Sequence, residues 1–162
     1  MKAIDLDLNK KSDLETLVPH KGKMFLLNRV KNYDLETITI ETQVDIDETS
    51  MFYDETLGGV PVWITFEYMA QSISLMSGIF GRAHSEPPKV GFIMSVSSFS
   101  SHVPVLRKGD VVTLKVHQTI RMDVAVTFEG QAFVENGEGY ILAAEGVLNT
   151  VEVPDPQKSL GL

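Results

Sequence analysis

Residues 60–80 read VPVWITFEYMAQSISLMSGIF, the most apolar stretch of the chain. The run is long enough to cross a bilayer if every residue were apolar. Glu67, Gln71, Ser72, Ser74 and Ser77 interrupt it, and a carboxylate at bilayer depth costs about 2.5 kcal/mol or more. The stretch therefore reads as a helix within a protein, apolar on most sides because most sides are buried. Gly58 and Gly59 mark the turn that leads into it. Pro61 suits its first turn, where a missing N–H costs nothing.

Glu67 is the residue of interest in this helix. Trp63, Ile64, Phe66, Tyr68 and Met69 flank it in sequence, and loss of water favours the neutral acid, so its pKa is expected to rise toward the range useful for proton donation. Glu67, Gln71, Ser74 and Gly78 follow at spacings that put them on one helix face. Such a polar stripe faces solvent or a subunit boundary, or else lines a narrow slot; its bulky apolar flanks favour the slot. The helix start adds unpaired backbone N–H groups over residues 61–64, Pro61 itself having none, and a positive dipole end, one to two turns from Glu67, able to hold an oxyanion.

Outward from the helix, the pattern is strand-rich. Ser12 opens an S-x-x-E capping box, predicting a short helix to about Leu17 that Pro19 stops. Residues 25–33 and 36–46 read as strands, the second with period-two alternation, and a loop spans 47–59. GRAHSEPP at 81–88 is a breaker-rich connector expected to end the long helix. Strands follow at 90–100, 111–122, 124–135 and 140–151, with NGEG at 136–139 as a hairpin turn. Two strands, one buried helix and four antiparallel strands make an α+β layout in which one curved sheet wraps the helix. Residues 1–152 form the expected single domain and 153–162 a loose tail.

The chain has 162 residues, a formal net charge of −8 and no cysteine. The charge argues against nucleic acid or an anionic membrane surface as partner, and disulfides, thiolate catalysis and Cys-ligated metals are excluded. Residues 1–11 carry acids and no apolar segment, so no secretory signal is expected and the cytoplasm is the default location. No metal-ligand spacing, Walker loop, dinucleotide fingerprint or G-x-S-x-G is present, and no cofactor is implied. Of four histidines, His20 stands out because it follows Pro19 in a loop feeding the first strand, whereas His84, His102 and His117 lie in polar connector or strand positions.

Three motifs carry a family resemblance. LVPHKGKMFLLNRV at 17–30 resembles the L-L-P-H-x-x-x-x-L-L-x-D-R-V opening of the β-hydroxyacyl-acyl-carrier-protein dehydratases. Residues 60–71 resemble their central-helix pattern P-G-V-x-x-x-E-x-x-A-Q, and VPVLRKGDVVTLKV at 103–116 their P-V-x-P-G-D-x-L segment. Through GVPVWITFEYMAQ and VGFIMS the chain is most similar to the dehydratase-like proteins of aryl-polyene biosynthesis clusters. The resemblance implies a hot-dog fold, helices paired in a homodimer or a heterodimer with another hot-dog subunit, and acyl thioesters on an acyl carrier protein as substrate. One departure stands out: where the family has a catalytic histidine in G-H-F-P, this chain has SMFYDET, with Tyr53 near that position.

Dehydration would need a base for the α-proton, donors for the enolate oxygen and an acid for the leaving hydroxyl. The expected assignment is Glu67 as acid, the Val62 N–H as oxyanion donor, Gln71 as helix neighbour, Tyr53 and Trp63 as substrate-positioning groups, and His20 as substitute base. Lys89, Arg107 and Lys108 are candidates for docking an acidic carrier. Two other classes stay open: a non-catalytic partner of a histidine-bearing hot-dog subunit, and an acyl thioesterase.

Overall fold

The computed structural model describes residues 1–153, and all but the first residue of the expected tail lies outside them. Val153 belongs to a strand, where it pairs with Val90. In chain order the elements are α1 (Lys11–Leu14), β1 (Arg29–Asp34), β2 (Thr39–Asp45), β3 (Gly59–Pro61), α2 (Thr65–His84), β4 (Val90–Ser101), β5 (Val105–Arg107), β6 (Val111–Met122), β7 (Ala125–Asn136) and β8 (Gly139–Val153). The main sheet is antiparallel in the order β1-β2-β6-β7-β8-β4, and β3 pairs separately with β5. The expected α+β hot-dog layout is present: α2 packs against β2, β6, β7, β8 and β4.

The helix is gripped because its inward face is large and apolar while its few buried polar atoms are paired. Tyr68, Met69, Leu75 and Ile79 are almost fully buried. Ser72 donates its hydroxyl to the Tyr68 carbonyl at 2.8 Å and accepts from Thr42 of β2 at 2.8 Å, so its burial leaves no orphaned hydroxyl.

Several local readings are corrected. Lys10, not Ser12, precedes α1, with no side-chain cap; Asp13 accepts the Asp7 N–H at 2.9 Å and so ties the preceding turn instead. Residues 22–24 form a 3₁₀ turn, and β1 begins only at Arg29, although Phe25, Leu26 and Leu27 are buried. The long helix does not end at Gly81. It is led in by a 3₁₀ turn at Val62–Ile64, runs to His84 and ends on Ser85 in the left-handed conformation, φ 56°. Gly81 is needed for a close approach instead, since a Cβ there would sit 2.8 Å from the Glu86 carbonyl oxygen.

Candidate active site

The stripe expected on one face of α2 is divided between two environments. Gln71 and Gly78 lie under the N-terminal segment, whereas Glu67 and Ser74 face a cleft. A Cβ on Gly78 would stand 2.1 Å from the Leu17 carbonyl oxygen, so glycine lets residues 17–26 lie directly along the helix. Gln71, 1% exposed, then fixes that segment. Its Oε1 accepts the Leu26 N–H at 2.8 Å, while Nε2 donates to the Met24 carbonyl at 2.8 Å and to Glu67 Oε1 at 3.1 Å.

This pairing has a chemical consequence for Glu67. The Leu26 N–H fixes which end of the Gln71 amide is oxygen, so Glu67 Oε1 always meets a donor and acts as acceptor. A proton on the acid therefore belongs on Oε2. The carboxyl group is half-buried rather than enclosed. Ile64, Tyr68 and Met69, its neighbours in sequence, are buried in the core, and Trp63 is 61% exposed, so the dry pocket expected from flanking residues is not formed in the single chain.

The cleft has a volume of about 780 Å³ and runs along α2 past Glu67, Ala70, Ser74 and Ser77. His20 lines it, so the acid and the histidine singled out in sequence share one cavity. The other three histidines lie elsewhere: His84 stacks on Phe80 at 4.1 Å, and His102 and His117 stand 3.7 and 3.5 Å from Glu145 and Glu129. Phe80, Phe92, Ile93 and Phe128 give the cleft an apolar lining.

Tyr53, Val62 and Trp63 are not among the residues that line this cleft. Trp63 instead forms an exposed pair with Phe52, ring centroids 6.4 Å apart. The Val62 N–H donates to the Pro104 carbonyl at 3.2 Å, so in the single chain it is not free to serve an oxyanion. Sequence spacing along the helix could not reveal that commitment, because Pro104 comes from the segment beside β5. The ion cluster at the cleft was also missed: Glu152 is held by Arg121 at 2.6 and 3.0 Å and by Lys89 at 3.5 Å. Burial alone would raise the Glu152 pKa; the hydrogen bond and charge of Arg121, joined by Lys89, outweigh it and hold the carboxyl below the usual range.

With α2 and its cleft in place, similarity to known proteins narrows the field. The family described as ApeP-like, ApeP dehydratase, matches residues 12–161. The chain belongs to that family. A 3-hydroxyacyl-[acyl-carrier-protein] dehydratase FabZ from Chlamydia trachomatis is 26% identical over 144 residues, covering 87% of this chain and 90% of the relative. The dehydratase heterocomplex ApeI:P from Xenorhabdus doucetiae contains a chain of the same fold, with a TM-score of 0.78, 24% identity and coverage of 91% and 95%. A hypothetical thioesterase protein with coenzyme A from Streptococcus pneumoniae superposes less closely, at a TM-score of 0.58 and 12% identity, covering 78% of this chain and 86% of that one.

Among the described residues no helix is long and apolar enough to cross a membrane, and no cluster of His, Asp and Glu is arranged to hold a metal ion. Of the three docking candidates, Lys89 is committed to Glu152 and Lys108 to Glu48. Arg107 is exposed and has no ion-pair partner among the described residues.

Proposed function

We propose that this chain contributes the acid-bearing half of a dehydratase acting on 3-hydroxyacyl thioesters carried by an acyl carrier protein, in fatty-acid-like or polyene synthesis. The observation that carries this reading is the Gln71-to-Glu67 hydrogen bond at the wall of a large apolar cleft. In the reaction a base removes the α-proton, the thioester carbonyl takes on enolate character, and Glu67 gives the Oε2 proton to the departing β-hydroxyl. The products are the 2-enoyl thioester and water, with the base protonated and Glu67 ionised until solvent exchanges the proton.

The base comes from a second hot-dog subunit. By the resemblance, Tyr53 falls near the position of the family's histidine, so a homodimer of this chain would lack that imidazole. The relative in the ApeI:P heterocomplex, by its description, works in a pair of unlike chains. The edge of β4 fits such a partner: Phe92, Ile93, Met94 and Val96 are all exposed along a twelve-residue strand at the margin of the sheet. A second reading, favoured by His20 lining the same cleft as Glu67, has this chain active alone with His20 as base.

Enoyl formation from a 3-hydroxyacyl thioester separates these readings. Activity that appears only with a histidine-bearing hot-dog partner, and that Glu67→Gln abolishes, supports the first. Activity of the purified chain alone supports the second. Release of free thiol without enoyl product would replace both by the thioesterase.

A further inference from the structure

His20 sits on a short stretch held at both ends. Pro19 precedes it, Lys21 donates through Nζ to the Glu15 and Val18 carbonyls, and Gln71 holds the Met24 carbonyl and the Leu26 N–H. His20 lines the Glu67 cleft, yet its Nδ1 is enclosed by protein and has no hydrogen-bond partner among the described residues.

That enclosed nitrogen restricts what the ring can do. A neutral imidazole carries one proton, on Nδ1 or on Nε2. Either tautomer leaves Nδ1 unpaired, but a buried donor without an acceptor is rarer in folded proteins than a buried acceptor without a donor, which favours the proton on Nε2. A base working through Nε2 needs the rarer arrangement twice. Nδ1 must carry the proton beforehand, and the imidazolium formed afterwards would hold a charged Nδ1–H with nothing to accept it. Histidines that serve as bases normally have an acceptor at the far nitrogen for this reason. His20 has none.

We infer that His20 holds its proton on Nε2 and serves the cleft as a hydrogen-bond donor to the thioester carbonyl oxygen, leaving proton abstraction to the partner subunit. Two donors expected near the acid are already spoken for. The Val62 N–H is committed to Pro104, and both Gln71 amide protons are committed to Met24 and Glu67. The role in catalysis rests on the dehydratase reading; the position of the proton does not.

Two measurements test it. Long-range ¹H–¹⁵N correlation spectra of histidine-labelled protein should show His20 as the Nε2–H tautomer, both in the chain alone and in the assembled complex. The Nδ1–H tautomer would overturn the inference. In the complex, His20→Ala should lower kcat by about 10²–10³, the loss typical of one oxyanion donor. His20→Gln, whose amide offers an N–H near the Nε2 position but cannot act as a base, should recover most of that loss. A Gln variant as inactive as Ala, with both melting like the parent, would overturn the donor role. If the parent complex forms no enoyl product at all, the dehydratase reading fails, and the tautomer spectrum still decides where the His20 proton lies.

Discussion

Gln71 Nε2 donates to Glu67 Oε1 across one turn of α2 at 3.1 Å while its other amide bonds hold Met24 and Leu26. One side chain thus orients the acid and anchors the N-terminal segment. The two jobs separate by mutation. Gln71→Leu orphans the buried Leu26 N–H, at a cost of about 1–3 kcal/mol, and releases the Met24 carbonyl. Thermal unfolding should show a drop of several degrees, with activity falling as Glu67 loses its orientation.

Glu67→Gln should do the reverse. The residue is half-buried and accepts a single protein hydrogen bond, so the melting temperature should change little, while enoyl formation falls by about 10²–10⁴, the contribution of a positioned general acid. Full activity in this variant would remove Glu67 from the chemistry.

How much of this was legible in sequence varies with the distance over which each feature is decided. The apolar run at 60–80 and the period-two alternation at 36–46 record burial set by the local backbone, and a helix over Thr65–His84 and a strand over Thr39–Asp45 formed there. The ends of elements did not fall where expected, because they depend on packing from afar: the helix passes through Gly81 since Glu86 closes onto it, and β1 starts late since Gln71 takes the Leu26 N–H that a ladder would have used. At the site, Glu67, Gln71 and His20 were visible as anomalies of pattern. The commitment of the Val62 N–H to Pro104 and the Arg121 pairing with Glu152 were not, since each joins residues more than thirty positions apart.

Gly78 offers a test of how closely residues 17–26 must lie on α2. An alanine methyl would collide with the Leu17 carbonyl oxygen, 2.1 Å from the Cβ position, and neither backbone can withdraw without breaking the Gln71 bonds. Gly78→Ala should cost at least about 1–3 kcal/mol, as for other overpacked sites. Chemical denaturation would measure it.

The Glu152 carboxyl has a pH signature. Its folded pKa lies below the ordinary value of 4.5 because Arg121 and Lys89 overcome the effect of burial. The folded state therefore binds this proton less readily than the unfolded chain. The resulting stability is fully present above about 4.5 and is lost as pH falls through the depressed folded value. Unfolding free energies compared across that acid range should fall less steeply in Glu152→Gln than in the parent, and an identical slope would show that the pair contributes nothing.

Restoring the family histidine asks whether the missing group is all that separates this chain from independent activity. Tyr53→His places an imidazole where the resembling dehydratases have theirs. If bases act across the subunit boundary, the variant alone should form enoyl product that disappears on adding Glu67→Gln. Absence of product, in a variant that light scattering shows to self-associate, would mean that the loop geometry of residues 47–59 differs as well.

The edge of β4 carries the last prediction. Met94 is 67% and Val96 39% exposed in the single chain, so lysine at both positions removes little packing from the fold and should leave the melting temperature of the isolated chain within about a degree or two. A partner adding a strand there would have to bury both charges, which costs several kcal/mol and is the means by which natural edge strands block pairing. Light scattering should therefore show the Met94→Lys, Val96→Lys double variant unable to join a second subunit at concentrations where the parent assembles. Enoyl formation should vanish with assembly even though Glu67, Gln71 and His20 are untouched. If the double variant instead assembles like the parent, the partner sits elsewhere, and the open face of α2 becomes the place to look for it.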